Sequence, residues 1–455
     1  MVAVVLGLGC RPAPPGPPKH IVLISLDTLR RDHVGLYSAS SSAKTPNLDH
    51  FACSSIRFNR AFAQESFTLS SHMSMMTGLY PVVHAVDRNH RQLSRSVSTL
   101  AEILHEQGFA GIGLVSSYWV NGEFGFDRGF DHYEVLADGL TFAPRLTERA
   151  LALLDAAIAE EERVFLFLHY LDAHSDFVTD DPPNKWPYFA PGEDFPDVPA
   201  DGWEALCVND QCATEALLEM DRKGIELSES QLRLLKDLYA SGITYLDREI
   251  GILLAALEGR GLFDDSLIIV TSDHGEEFRE HGRLLHSQPF VENLAIPLLI
   301  RLPGGSGGGA LVDDVVETVD FLPTVLDGMG LEKPPWVQGH SLFRGLNGEM
   351  GEPSFSVGRD KHNHERFVIR SADHSLVWDR STGSTELFFR TQDPGEQVNV
   401  IAENPELAHR LLEELKRRLE NSRLLKERFD VAAQVSNSNL EPHERERLRE
   451  LGYLQ

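Results

Sequence analysis

Cysteine, basic residues and long apolar runs are all scarce in this chain. Four cysteines, Cys10, Cys53, Cys207 and Cys212, stand in 455 residues, and no two share CxxC spacing. That pattern excludes a thiolate-held zinc finger or ribbon. Cys207 and Cys212 enclose "VNDQ", and a local disulfide and two free thiols are both open at that separation. Lysine and arginine total 42 against 69 aspartates and glutamates, a formal net charge of -27. Such acidity argues against a nucleic-acid backbone as partner. It leaves room for a local cationic site that takes a small anion, and it suits affinity for divalent cations. The apolar opening "MVAVVLGLGC" is too short to span a bilayer and lacks the basic start of a secretory signal. Ending in Leu-Gly-Cys and followed by the stiff "RPAPPGPP", it reads as a shortened lipoprotein signal with Cys10 acylated. The expectation is an exported protein, periplasmic or on the outer surface and lipid-anchored, with residues 1–19 as signal and tether; a disordered leader is the alternative.

What is present is a globular composition, 42% hydrophobic and 24% charged, in a chain long enough to bury a large core. "HIVLISLDT" (His20 to Thr28) is a continuous apolar run closed by an Asp, as expected of a buried parallel strand. "STLAEILHEQGFAGIGLVS" reads as helix, glycine stop, strand. "RLTERALALLDAAIAEEERVFLFLHYLDAH" and "YLDREIGILLAALEGRGLFDDSLIIVTSDHGEE" repeat that grammar. Helices alternating with apolar strands predict an α/β fold with a large, mostly parallel sheet flanked by helices. Three strands end in Asp27, in Asp172 and His174, and in Asp273 and His274. Ligand sites in such sheets lie at the carboxyl ends of strands, so these residues are expected to converge. After about Leu346 the pattern changes. "RFVIRSADHSLVWDRSTGSTELFFR" predicts a small antiparallel sheet, and "NPELAHRLLEELKRRLENS" a helix with Asn404 and Pro405 at its start. The expected units are residues 20–346 as the catalytic domain and 347–455 as a C-terminal subdomain ending in a short charged helix.

Thr68 in "ESFTLSSHMSMMTG" opens a helix that stops at Gly78. A helix N-terminus favours anions, although a Thr at such a place is most often just the N-cap. Asp273 and His274, adjacent past a strand, offer one oxygen and one nitrogen to a metal. Asp27, His174 and His286 are weaker signals alone, and Asn89 in "VDRNHR" has none of its own.

The ordered blocks "HIVLISLDTLRRDHVGLYS", "KTPNLDHFA", "SFTLSSHMSMMTGLYPVVHAV", "FGFDRGFDHY", "LFLHYLDAH", "YLDREIGILLAAL", "LIIVTSDHGEEFREHG", "VDFLPTVLDGMGL" and "DPGEQVNV" resemble the sulfatases of the alkaline phosphatase superfamily, from about His20 to Glu420. The resemblance implies an alkaline phosphatase-like domain, a C-terminal sheet subdomain, and hydrolysis of a small anionic ester at one divalent cation, which could be Ca, Mg, Mn or Zn. It also shows departures. Where the family carries C/S-x-P-x-R, this chain has Thr68, Ser70 and His72, and a threonine cannot become formylglycine. The usual paired Asp of the first strand is Asp27-Thr28, and the usual Asp-Asn is Asp273-His274. Position by position, the resemblance to phosphonate and phosphodiester hydrolases implies Asp27, Thr68, Asp273 and His274 as ligands of that cation. It implies Thr68 as nucleophile, with His174 and His286 contacting the anion or protonating the leaving group. Asn89 and His72 are the implied substrate contacts. Two-metal relatives suggest a second cation at Asp172, His174 and His286.

Formylglycine hydrate expels sulfate by collapsing to an aldehyde, an exit a threonine sulfate lacks, whereas a phosphothreonine can be hydrolysed by attack at phosphorus. Thr68 therefore tilts the expectation toward a phosphate or phosphonate ester, borne by a small molecule, a glycan or a lipid. The alternatives are a true sulfuric ester hydrolase, a transferase of phosphate-bearing head groups, and a binding module without a nucleophile. Ser66, Ser70 and Ser71 are alternative hydroxyls nearby.

Overall fold

The computed structural model describes residues 16–87, 91–136, 143–160, 162–175, 207–208, 211–212, 214–346, 354–359 and 365–429. Cys10, Asn89, most of the segment between 176 and 213, and the charged tail lie outside the described residues. So do the side chains of Cys207 and Cys212, whose backbones face one another across a two-residue antiparallel ladder.

The main sheet has nine strands: β1 (His20–Leu26), β2 (Ile56–Phe62), β3 (Phe109–Val115), β4 (His132–Val135), β5 (Arg163–Tyr170), β6 (Ser266–Thr271), β7 (Ala295–Ile296), β8 (Leu298–Arg301) and β9 (Leu311–Glu317). Its pairing path is β7-β2-β8-β6-β1-β5-β3-β4; β7 and β8 pair in succession along one edge of β2, and β9 along the other. From β6 to β4 all pairings are parallel; β8 runs antiparallel to both β6 and β2. β1 shows why these runs are uninterrupted. All seven of its residues are buried, because the strand faces helices on both sides. Ile21 and Leu23 enter one hydrophobic core, and Val22, Ile24 and Leu26 the other. Each such side chain is worth about 1.5–3 kcal/mol when fully buried, so a one-residue register slip would exchange the two cores.

Five helices matter here: α1 (Thr68–Thr77), α2 (Leu100–Glu106), α3 (Ala143–Ala159), α4 (Glu229–Gly259) and α5 (Pro405–Lys426). α2 starts at a Thr99–Glu102 capping box and is followed by Gly108 at φ +80° before β3, as the sequence pattern implies. α1 ends at Gly78, whose left-handed conformation (φ +66°) stops the helix. α5 carries Asn404 at its N-cap and Pro405 in its first turn.

The C-terminal sheet is a meander of four antiparallel strands, β10 (Ser354–Arg359), β11 (Glu365–Arg370), β12 (His374–Asp379) and β13 (Thr385–Phe389). It shares a third core with α5, through Phe367, Ile369, Leu376, Leu387, Ala408 and Leu415, and with Tyr80 and Val319 of the larger unit. A fully buried ion pair within the C-terminal unit, Arg370 with Glu396 at 3.1 and 3.2 Å, reaches the larger one: Arg370 donates to the Pro289 carbonyl and Glu396 accepts from the Val291 N–H. Among the described residues no helix is long and apolar enough to cross a membrane.

Candidate active site

Strands β6, β1 and β5 are neighbours, so their carboxyl ends bring Asp273, Asp27 and the Asp172–His174 turn side by side. The chain leaves β1 through a strained corner. Thr28, a β-branched residue, sits at φ +56°, a conformation that costs about 1–3 kcal/mol and persists only where its surroundings impose it. Here the Thr28 N–H donates to Asp273 Oδ1 at 3.1 Å, and its carbonyl accepts from the Tyr239 hydroxyl of α4 at 2.6 Å. The corner thereby locks two of the expected ligand residues to each other. Arg30 adds a second tie, pairing with Asp32 and Glu280 and donating to the Glu276 carbonyl.

Asp27, Asp273 and His274 are completely buried, and their ligand atoms lie within 4.8 Å of one another. Asp27 Oδ2 accepts from His169 Nε2 at 2.9 Å, and Asp273 uses Oδ1 on two backbone N–H groups; among the described residues Asp27 Oδ1 and Asp273 Oδ2 have no hydrogen-bond partner. His274 donates from Nδ1 to the Gly275 carbonyl at 2.9 Å, which fixes its tautomer and turns the Nε2 lone pair inward. Two orphaned carboxylate oxygens and an imidazole lone pair in one buried site are costly unless a cation joins them. Oxygen and nitrogen donors of this kind fit a divalent ion. Burial pushes the Asp27 carboxyl up. The hydrogen bond from His169, with the charges of His169, His174 and His274, overcomes this and holds it well below the usual carboxylate range.

A second grouping, His72, His169 and Asp273, is equally close but presents protons rather than lone pairs. His72 Nδ1 lies 2.8 Å from the Thr68 carbonyl, so it carries the proton, and Nε2 is 2.8 Å from Ser25 Oγ. His169 receives the Ser116 N–H on Nδ1 (3.4 Å) and gives its Nε2 proton to Asp27. These two imidazoles support the site from behind. Burial pushes His72 down to about 4. It is fully buried with both nitrogens engaged, which is the geometry of a support for the first turn of α1 and not of the substrate contact expected from the sequence.

Thr68 is not the N-cap. It is the first residue of α1, after Phe67, and its Oγ1 lies 3.3 Å from His274 Nε2. The helix start, with its positive dipole end, thus faces the carboxylates. Ser71, one of the alternative hydroxyls, donates to the Asp273 carbonyl at 2.7 Å and is fully buried. The His286 ring lies tilted 4.5 Å from that of His274 and edge-on 5.4 Å from that of His174, centroid to centroid, with Nδ1 3.3 Å from Glu276 Oε1. The structure therefore gathers Asp27, Thr68, His174, Asp273, His274 and His286.

Asp172 is placed differently. Its Oδ1 accepts from the Ala143 N–H at the start of α3, and burial pushes its carboxyl up to about 7. Neither metal-like grouping among the described residues includes it, and a second cation at Asp172, His174 and His286 gains no support.

His169 is the residue the sequence patterns missed. It lies inside the apolar run "VFLFLHY", and only the β1–β5 register, which sets it opposite Ser25 and two positions from Asp27, reveals it.

Residues 19–331 match the family model described as Sulfatase, and residues 280–424 match one described as N-sulphoglucosamine sulphohydrolase, C-terminal. The chain is 22% identical to an arylsulfatase of Clostridium perfringens, covering 93% of this chain and 95% of that one. Its fold is similar to that of the phosphonate monoester hydrolase of Agrobacterium radiobacter (TM-score 0.66, 23% identity, 90% of this chain and 96% of that one). It is similar too to the structure of BT4656 in complex with its substrate D-glucosamine-2-N,6-O-disulfate (TM-score 0.69, 20% identity, 90% and 98%). The chain belongs to the sulfatase family, metal-dependent ester hydrolases of the alkaline phosphatase superfamily.

Proposed function

We propose that the protein hydrolyses a phosphate or phosphonate ester, borne on a glycan or a lipid, through a covalent intermediate on Thr68. The observation that carries this reading is the position of Thr68 Oγ1: first turn of a helix, 3.3 Å from His274 Nε2, beside two carboxylates with unpaired oxygens. Asp27, Asp273, His274 and Thr68 would hold one divalent cation. When bound, such a cation acts as a Lewis acid that lowers the pKa of a hydroxyl and offsets developing oxyanion charge.

The chain's own groups do the rest. The start of α1 orients the anion with backbone N–H groups. Thr68 Oγ, its proton given up to solvent, attacks phosphorus while the bond to the leaving oxygen breaks. His286 or His174 donates a proton to that oxygen; Glu276 Oε1 lies 3.3 Å from His286 Nδ1. Water then hydrolyses the phosphothreonine and restores Thr68. A threonine has no aldehyde to collapse to, which favours phosphorus over sulfur. Family membership favours a sulfate ester and makes it the second reading.

Turnover of aryl phosphate, phosphodiester, phosphonate and sulfate esters, each with and without added divalent cation, separates these outcomes. The expected order places phosphorus esters first. Faster cleavage of the sulfate ester would transfer the assignment to a sulfuric ester hydrolase, and no turnover of any would defeat it.

A further inference from the structure

A second feature lies where the loop after β1, strand β2 and the C-terminal sheet meet. Arg60 and Phe62 point to the same face of β2, two residues apart. The guanidinium of Arg390, just past β13, lies 4.6 Å from the centroid of the Phe62 ring, within reach of the charge of Arg60. Arg31, at the start of the turn Arg31–His33, donates to the carbonyl of Asn59, the residue before Arg60. Three half-buried arginines from three separate segments thus converge.

Their hydrogen-bond partners are backbone carbonyls: Asn59 for Arg31, Asp313 for Arg60, Ser371 for Arg390. Among the described residues none of the three has a carboxylate within salt-bridge distance, although the chain carries 69 acidic residues against 42 basic ones. By contrast, the neighbouring Arg370 and Arg30 are both paired with carboxylates. Grouped cations repel one another, and Asp32 acts on Arg31, and Glu396 on Arg390, only through space, without a salt bridge. Burial, then the charge of Arg370, pushes Arg390 down to about 9 against the pull of Glu396, with Arg31 and Arg60 adding to the fall. Carbonyl staples alone would not require three guanidiniums here, whereas forked donors converging without an acid partner suit an oxyanion.

We infer that Arg31, Arg60 and Arg390 form a second oxyanion site, which takes an additional sulfate, phosphate or carboxylate group of the molecule whose ester is cleaved. Arg31 follows Asp27 by four residues, so its Cα lies within about 14 Å of it even on an extended chain, near enough for one extended substrate to reach both. The role of this group as part of the substrate rests on the Thr68 reading; the existence of the site does not.

The test uses the full chain stripped of metal with a chelator and titrated calorimetrically, at low ionic strength, with inorganic sulfate alone and with a heparin-derived disaccharide series of increasing sulfation. Wild type is expected to bind sulfate. Arg60→Gln with Arg390→Gln should weaken this at least tenfold, Arg60→Lys with Arg390→Lys should retain most of it, and Thr68→Ala should leave it unchanged. Thermal melts report folding, and Arg60→Gln alone, at a half-exposed position, serves if the double variant unfolds. Tighter binding with each added sulfate identifies a glycan-borne group, and equal binding across the series a free anion. Undiminished binding in the glutamine variants, or loss of binding in Thr68→Ala, would overturn the assignment. Retention of ester turnover by Thr68→Ala, with sulfate binding intact, would instead count against the Thr68 reading.

Discussion

His169 offers a sharp test of how the cation site is built, because it touches Asp27 and not the substrate. Its Nε2–H bond to Asp27 Oδ2 is 2.9 Å long, links two fully buried groups, and leaves Oδ1 as the one oxygen of that carboxylate without a partner. A hydrogen bond to a charged group of this kind is worth about 1.5–3 kcal/mol. At 1.4 kcal/mol per decade, His169→Leu should therefore weaken divalent-cation binding roughly 10- to 100-fold, the range usual for groups that orient a metal ligand. The sign of the pH effect follows as well. The hydrogen bond holds the Asp27 carboxyl below its ordinary range while burial acts upward. Without it the Asp27 pKa rises, and protons compete with the cation up to a higher pH. Calorimetric titration of metal-stripped protein with manganese or calcium, across a pH series, measures both effects. His169→Gln keeps a donor that can reach Asp27 and should recover part of the affinity. Affinity within threefold of wild type in His169→Leu, with an unmoved acid limb, would refute the reasoning.

Two further perturbations probe the surroundings. Glu317 accepts from Phe355 N–H, Gln64 and Tyr80 in full burial, which pushes its carboxyl up to about 8. With the folded pKa above the unfolded one, its stabilising contribution is complete at acid pH and fades as pH rises toward 8. Glu317→Gln should therefore flatten the fall in melting temperature between pH 5 and about 8; an unchanged slope would contradict this. A Cβ at Gly275 would collide with the Glu292 carbonyl and with Arg30 Cγ, so Gly275→Ala should cost about 1–3 kcal/mol of stability. It should also weaken cation binding by shifting the carbonyl that orients His274. Chemical denaturation and the same titration check both.

The parallel core was legible because strands buried on both faces must be apolar throughout: β1, β5 and β6 each appear as unbroken runs. Glycine stops and the Asn404–Pro405 start gave helix ends for similar local reasons. Short or mixed strands were not legible. β2 carries Arg57, Asn59 and Arg60 among its apolar residues, and its partners β7, β8 and β9 arrive from more than 200 residues away. The ligand set was readable at strand ends, but the supporting imidazoles were not. His169 is hidden within a hydrophobic run, and His72 became interpretable only when the helix set it one turn from Thr68, beneath that residue's carbonyl. The Thr28 corner was likewise silent, since nothing local marks a threonine for positive φ.

The most direct test of the central claim is to trap the intermediate. Cation-loaded protein is mixed with an excess of an aryl phosphate, quenched in acid and mapped by tandem mass spectrometry, alongside steady-state turnover of Thr68→Ala. The account predicts a phosphoryl adduct on Thr68 and a fall in turnover of about three orders of magnitude or more in the variant. An adduct on Ser66, Ser70 or Ser71, or turnover by Thr68→Ala within a few-fold of wild type, would contradict it.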